Sequence, residues 1–452
     1  MPNRLVKWLL MATVCWGGVK LLGAEVPGPA RVLKHTAANG ETCFAVILKA
    51  GELPKGGIVR EHVILIDTSA SQVGEHRQQS IGVLVSLLKS LPDGDRVRLF
   101  AADLRAEPLD DGFHDVHSPE VAESVELLKA RVPLGATNLE GVLRTAMQSV
   151  TDRPIDITYI GDGMSTADLV EVPELRTLVS DLRQRQMRVH SFGVGPQRNL
   201  QILSILAHQT GGFVAFDAPI VETSPEKATK AEKTKSAKLA KDIARTHRTA
   251  AESAVEQGKT LAAALNSPVF FATELQVTPA GTSLLPMTAL PIRADRETIY
   301  LARGTLPAST RIVLIDAAGE TLEWKLAAHV DQPGATILPV MIGQLEVTQG
   351  LTNSLAGTIL FNLAQSDFSD NVTAMAEHGV QMLQLGDIEQ ATKISAMVSE
   401  ADPNNDSGKL LRKAIERLKE RPVKGTSNAG PAKPGLGAKP RLAPIPEKGA
   451  KQ

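Results

Sequence analysis

Cysteine is nearly missing from this chain: of 452 residues, only Cys15 and Cys43 carry a thiol. A disulfide framework is therefore excluded. Cys43 reads as a small buried hydrophobe in a strand. Aromatic residues make up only 3% of the chain, too few for platforms that stack single-stranded nucleic acid. Neither sign of charge prevails, since the formal net charge is -1, and no global field draws in nucleic acid. The motifs of common catalytic machinery are also missing. No G-x-S-x-G follows a strand, no H-E-x-x-H occurs, and no glycine-rich phosphate loop opens a helix. A binding protein is expected rather than an enzyme. A long apolar run is lacking too: Leu9 to Val19 is too short to span a bilayer, and Lys20 interrupts it.

What is present starts with that same stretch. Arg4 and Lys7 precede the apolar run, and Leu22-Gly23-Ala24 follows it with small residues. This is the pattern of a secretory signal over residues 1–24. The expected destination is outside the cytoplasm, in the periplasm, at the cell surface or secreted. If the signal is cleaved, Cys43 is left as the single thiol. Beyond it, hydrophobic residues at 43% and charged residues at 22% allow real cores. The length suits about three domains of roughly 150 residues.

The chain is organised around His62 to Ser71, HVILIDTSAS. Val63 to Ile66 is an unbroken apolar run, as in a strand buried on both faces of a parallel sheet. Asp67 ends it, and Ser69 and Ser71 follow at alternate positions in the turn. Gly135-Ala136-Thr137-Asn138 stands just before an amphipathic stretch, Leu139 to Val150. Ile155 to Ile160 is a further apolar strand, with Gly161-Asp162-Gly163 directly after it. Two acids and three hydroxyls thus sit at strand-to-helix junctions, where open α/β sheets place their ligand sites. Hard oxygen donors of this kind suit magnesium rather than zinc or copper.

The order D-x-S-x-S, then Thr, then Asp resembles the metal-ion-dependent adhesion site of the von Willebrand factor type A domain, over about Val59 to Asp217. The resemblance implies a doubly wound, Rossmann-like α/β fold. It makes Ser69, Ser71 and Thr137 the hydroxyl ligands, and Asp67 and Asp162 the carboxylates that hold a Mg2+ ion mainly through water, with Mn2+ or Ca2+ as substitutes. One departure stands out. The family often carries Thr or Ser just before the second aspartate, and here Gly161 occupies that place.

Alternating strands and helices fill residues 59–218. Helices are expected over Gln72 to Leu91, Val121 to Val132, Glu171 to Met187 and Asn199 to Gln209. Strands are expected over Val97 to Ala101, Val189 to Val194 and Phe213 to Phe216. His114 and His117 have i, i+3 spacing among Asp110, Asp111 and Asp115. They lack a further ligand at zinc spacing and read as a solvated loop.

Residues 219–265 punctuate an alanine-rich run with lysines and arginines diluted by acids, and read as a charged helical spacer. Residues 266–347 read as a β-sandwich-like domain of short strands: Phe270 to Val277, Thr298 to Leu301, Arg311 to Ile315, Thr321 to Leu326 and Ile337 to Ile342. The wording SPVFFATELQV and LPIRADRETIYLARGTL resembles, more loosely, the segment after the A domain in proteins of the inter-alpha-trypsin-inhibitor heavy-chain type. A lone strand within residues 31–50, at Cys43 to Leu48, is expected to pair with that β region. Residues 351–421 turn helical, and Val372 to Asn405 resembles one tetratricopeptide repeat, with separate helices at Ser354 to Ala364 and Lys409 to Glu420 beside it. Residues 422–452 read as a disordered basic tail suited to an anionic envelope.

The expected function is an exported, Mg2+-dependent protein-binding or adhesion module, whose protein partner completes the metal coordination with an Asp or Glu. No nucleic-acid partner is expected, and envelope or surface association is. Two alternatives belong to other classes. A Mg2+-dependent hydrolase would use the ion as a Lewis acid but needs a base. A partner of an ATPase in complex remodelling would sit on the other side of the membrane from the expected signal.

Overall fold

The computed structural model describes residues 30–37, 39–53, 59–149, 151, 153–168, 170–195, 197–216, 250–326, 330–331, 335–351 and 355–419. The signal segment 1–24, the run 219–249 and the tail 422–452 lie outside these residues.

The described residues begin with a hairpin, β1 (Ala30–Thr36) and β2 (Thr42–Leu48). It then enters an α/β domain at β3 (Glu61–Asp67). The domain continues through α1 (Glu75–Ser90), β4 (Arg96–Ala102), the short β5 (Ala106–Pro108) and β6 (His114–Asp115), and α2 (Pro119–Ala130). Next come α3 (Leu139–Ala146), β7 (Ile155–Gly161), α4 (Val172–Gln184), β8 (Arg188–Gly193), α5 (Leu200–Thr210) and β9 (Val214–Phe216). Among the described residues, five parallel strands run in the order β4-β3-β7-β8-β9, with β5 and β6 antiparallel against β4.

Strand periodicity divides the apolar runs between two helical layers. Val63, Leu65, Ile157 and Val189 face α3, α4 and α5. Ile64, Ile66, Ile160 and Phe192 face α1 and α2. Because both faces are covered, the central β3 reads as a continuous apolar run from Val63 to Ile66 rather than an alternating one.

The second layer contains a helix that the charged-spacer reading of 219–265 misplaces. Helix α6 (Ala250–Leu265) buries Ala254, Leu261, Ala262 and Leu265 in the same core as α1. Small residues let the two helices approach closely. The Ser86 hydroxyl donates to the Val255 carbonyl at 2.6 Å, and a Cβ at Gly258 would stand 2.4 Å from that of Ser86. The described part of the expected spacer is thus core.

Beyond α6, β10 (Val269–Phe270) pairs with β12 (Ile292–Arg293). The strand then breaks at Phe271, and β11 (Ala272–Thr278) joins β14 (Arg311–Asp316) and β15 (Thr321–Lys325) in a three-stranded sheet. β13 (Thr298–Arg303) pairs antiparallel with β2, and β1 pairs with β16 (Val330–Asp331). The sequence pattern suggests a lone strand in residues 31–50; β1 is its hairpin partner, masked by its charged and polar residues. Period-2 alternation makes this four-stranded sheet a middle layer. Phe44, Val46, Leu48 and Tyr300 pack on the three-stranded sheet through Ile312, Leu314 and Trp324. Cys43, Ala45, Ile47, Ile299 and Leu301 pack on helices.

One of those helices replaces an expected strand. Ile337 to Ile342 is a 3₁₀ turn (Ala335–Ile337) running into α7 (Leu338–Val347), so residues 266–347 are not all β. A short apolar run does not by itself distinguish a buried helix from a strand, and Pro339 lies in the first helical turn, where its missing N–H costs nothing. The helical region differs as well. Residues 358–364 are not a separate helix but the start of α8 (Thr358–Gln384), 27 residues long. α9 (Ile388–Ala401) and α10 (Asp406–Lys419) pack against its second half. Among the described residues, no helix is long and apolar enough to cross a membrane.

Buried arginines tie the α/β domain to α6 and the β layers. Arg188 is buried beside Asp156 and donates to the carbonyls of Leu265 and Ser267. Arg293 donates to Gly211 and Ala264, and Arg296 to Ala207 and Gly212. Each guanidinium thereby binds carbonyls at or just beyond the C-terminal ends of α5 or α6.

Candidate metal centre

The fold brings all five residues singled out from the sequence to the carboxyl end of the sheet. Asp67 ends β3 and Asp162 directly follows β7, while Ser69, Ser71 and Thr137 lie in the adjoining loops. Asp67, Ser69, Thr137 and Asp162 are buried, and Ser71 opens to solvent.

Backbone bonds fix the loops to one another. The Ala70 amide donates to the Gly135 carbonyl at 3.0 Å, and Leu134 to Thr68 at 2.9 Å. Asn138 caps α3, its side chain accepting from the Gly141 amide at 2.8 Å. The loop after Asp162 braces Thr137 from the other side: the Thr137 amide donates to the Thr166 hydroxyl at 3.2 Å, and Ala167 to the Thr137 carbonyl at 3.0 Å.

The side chains converge within this frame. Asp67 accepts from the Ser69 amide at 2.8 Å and from the Thr137 hydroxyl at 3.3 Å. The hydroxyls of Ser69 and Ser71 are 3.0 Å apart, and Ser71 donates to Asp162 at 2.6 Å. The other Asp162 oxygen accepts from the Met164 amide at 2.8 Å.

Two carboxylates therefore face a common space with hydroxyls between them and no countercharge. Among the described residues, no ion pair reaches Asp67 or Asp162. Arg77 senses the Asp67 charge, but its guanidinium is engaged with the carbonyls of Leu128 and Arg131. Burial pushes the Asp67 carboxyl above the usual range, the Asp162 charge adds to this, and hydrogen bonds from Tyr159 and Ser69 oppose it. Such a pair of acids is relieved by a cation. The donor set, two carboxylates and three hydroxyls, suits a hard divalent ion. Among the described residues, no group of three His, Cys, Asp or Glu is placed to hold a metal, which sets this site apart from one built of nitrogen or sulfur ligands. His114 pairs with Asp111 at 2.8 Å and His117 with Asp93 at 3.4 Å, each turned to a different acid.

Residues 60–216 match the family model of the von Willebrand factor type A domain. An uncharacterized protein of Synechocystis sp. is 25% identical over 158 residues, which are 34% of this chain and 36% of the relative. The chain thus spans about a third of that relative's length. A solved von Willebrand factor type A protein from Catenulispora acidiphila aligns at 14% identity and a TM-score of 0.45, covering 85% of this chain and 88% of that one. The ArnB paralog VWA2 from Sulfolobus acidocaldarius aligns at 12% identity and a TM-score of 0.37, covering 86% and 98%.

The α/β domain contains two site residues that the motif reading did not reach. Gln72 is buried, and its amide donates to Asp162 at 3.3 Å and to the Ser71 hydroxyl at 3.4 Å. Tyr159, also buried, donates its phenol to Asp67 at 2.6 Å. A signal for the second was available: the chain holds only two tyrosines, and one stands on a buried strand two residues before the Gly161 departure. Around the site stand exposed apolar side chains from four loops: Val73, Leu104, Val132 and Leu134, and Met164.

Proposed function

We propose that the A domain is a divalent-cation-dependent binding module, and that Asp67, Ser69, Ser71, Thr137 and Asp162 hold a magnesium ion to which a protein partner adds an Asp or Glu carboxylate. The A-domain match supports a protein-binding or adhesion module in general. The observation that carries the finer reading is the convergence of two unpaired carboxylates and three hydroxyls at the open end of the sheet. A bound magnesium ion supplies an electrophilic centre with exchangeable water. The chain keeps it electrophilic by offering neutral hydroxyls and holding its acids in hydrogen bonds. The apolar side chains around the site favour a protein surface over a small hydrated anion, because they gain from being covered. We read the protein as exported, on the strength of residues 1–24, and as a binder rather than an enzyme. α8 to α10 then serve as one tetratricopeptide-like unit that buttresses the β layers.

The test is a magnesium titration of chelator-stripped protein by calorimetry, with a pull-down from envelope extract in magnesium or in chelator. Wild type binds the ion and retains its partner only in magnesium. Thr137→Ala loses about tenfold or more in ion affinity and loses the partner, with its circular dichroism unchanged. Partner capture that is equal in chelator overturns the reading.

A further inference from the structure

We propose that Tyr159 is a positioning residue of this site and that Gly161 is its obligatory complement, so that the two positions function as one pair; the role in ion affinity rests on the metal reading above. Tyr159 lies on the face of β7 toward α3, α4 and α5, in register with Leu65 of β3. From there its phenol reaches past the strand end. The hydroxyl donates to Asp67 Oδ2 at 2.6 Å and accepts from the Gly163 amide at 3.3 Å. It therefore joins the loop that carries Asp67 to the loop that carries Asp162, and it is buried at 1% exposure. Asp67 Oδ1 accepts from the Ser69 amide. With both oxygens held, the carboxylate has one orientation before any ion arrives.

Residue 161 competes for the same space. A Cβ there would stand 2.5 Å from the Tyr159 hydroxyl, 2.7 Å from its Cζ and 2.5 Å from Asp67 Cβ. Real carbon contacts lie at roughly 3.5–4.0 Å, and the tyrosine is locked in the core. A side chain at 161 and a phenol at 159 are thus mutually exclusive. The clash also shows that a hydroxyl on a short side chain at 161 would lie within reach of Asp67. Removing the phenol relieves two of the three close approaches; the third, to Asp67 Cβ, is left for a small shift of the β3 end to take up, after which a hydroxyl at 161 supplies the oxygen that steadies Asp67.

The experiment uses the full chain in five forms: wild type, Tyr159→Phe, Tyr159→Val, Gly161→Ser and the double variant Tyr159→Val/Gly161→Ser. Thermal unfolding is measured in chelator, with Tyr159→Val alone closing the cycle. Gly161→Ser lowers the midpoint strongly beside the native tyrosine and less in the Tyr159→Val background, where only the approach to Asp67 Cβ remains; additive effects overturn the pairing. Magnesium affinity is then measured by calorimetry on the folded forms. Tyr159→Phe keeps the packing yet weakens the ion by about tenfold or more, and the tyrosine absorbance change that accompanies ion binding in wild type is lost. The double variant binds magnesium better than Tyr159→Val. Wild-type affinity in Tyr159→Phe, or no gain in the double variant, overturns the positioning role. Absence of magnesium binding by wild type removes the metal reading, and the cycle in chelator alone then decides the pairing.

Discussion

Replacing Gly258 with alanine sets two effects of opposite sign against each other in α6. In a helix interior, Ala is favoured over Gly by about 1 kcal/mol. If α6 were a solvated spacer, Gly258→Ala would therefore stabilise. The structure predicts the reverse. The new Cβ would stand 2.4 Å from Ser86 Cβ and 2.6 Å from the Val83 carbonyl oxygen, atoms that no rotamer change can move. Restoring ordinary contact parts α1 and α6 by on the order of 1 Å. Overpacking of this kind costs about 1–3 kcal/mol, and loss of the Ser86-to-Val255 hydrogen bond adds about 1 kcal/mol. The net expectation is a loss of about 1–3 kcal/mol after the propensity gain. Gly343 in α7 is the internal control, because nothing lies within 4 Å of its added Cβ. Gly343→Ala should gain about 1 kcal/mol. Urea unfolding followed by circular dichroism measures both. Stabilisation by both substitutions would falsify the docking of α6 on the α/β domain.

The other predictions concern charge. His190 and His208 are buried without ring hydrogen-bond partners, and burial first, then neighbouring arginines, push both well below the usual imidazole range. The folded state keeps them neutral while the unfolded chain takes up protons below about pH 6.5. Stability is therefore intact above that pH and falls on acidification, by up to about 2.7 kcal/mol per pH unit for the two together; a His208→Phe variant with an unchanged pH slope refutes this. Arg188→Met leaves Asp156 buried without its main partner and frees the carbonyls of Leu265 and Ser267. It should cost about 3–5 kcal/mol by urea unfolding, and a loss below about 1 kcal/mol would show the ion pair to be dispensable.

The parts of the site that lay open in the sequence share one property: their positions follow from where an apolar run stops. Val63 to Ile66 and Ile155 to Ile160 mark two parallel strands, so Asp67, next in line after the first, and Asp162, two residues after the second, had to emerge at the same end of the sheet. Tyr159 was hidden because its phenol acts beyond the end of its own strand, and Gln72 because it lies in the turn after Ser71, outside any periodic run. Helix α6 was misread for another reason. Its buried stripe is Ala254, Gly258 and Ala262, small residues that look like a spacer unless their spacing of four is noticed. In Ile337 to Ile342 the apolar run was seen and its period was not, since six residues are too few to separate 2 from 3.6.

The most direct test of the central claim is anomalous diffraction from crystals of the protein soaked in manganese, which substitutes for magnesium and can be located unambiguously. The account predicts one strong peak in the space bounded by Asp67, Ser69, Ser71, Thr137 and Asp162, with hydroxyl oxygens at about 2.1–2.2 Å from it. No peak there at saturating manganese would contradict it.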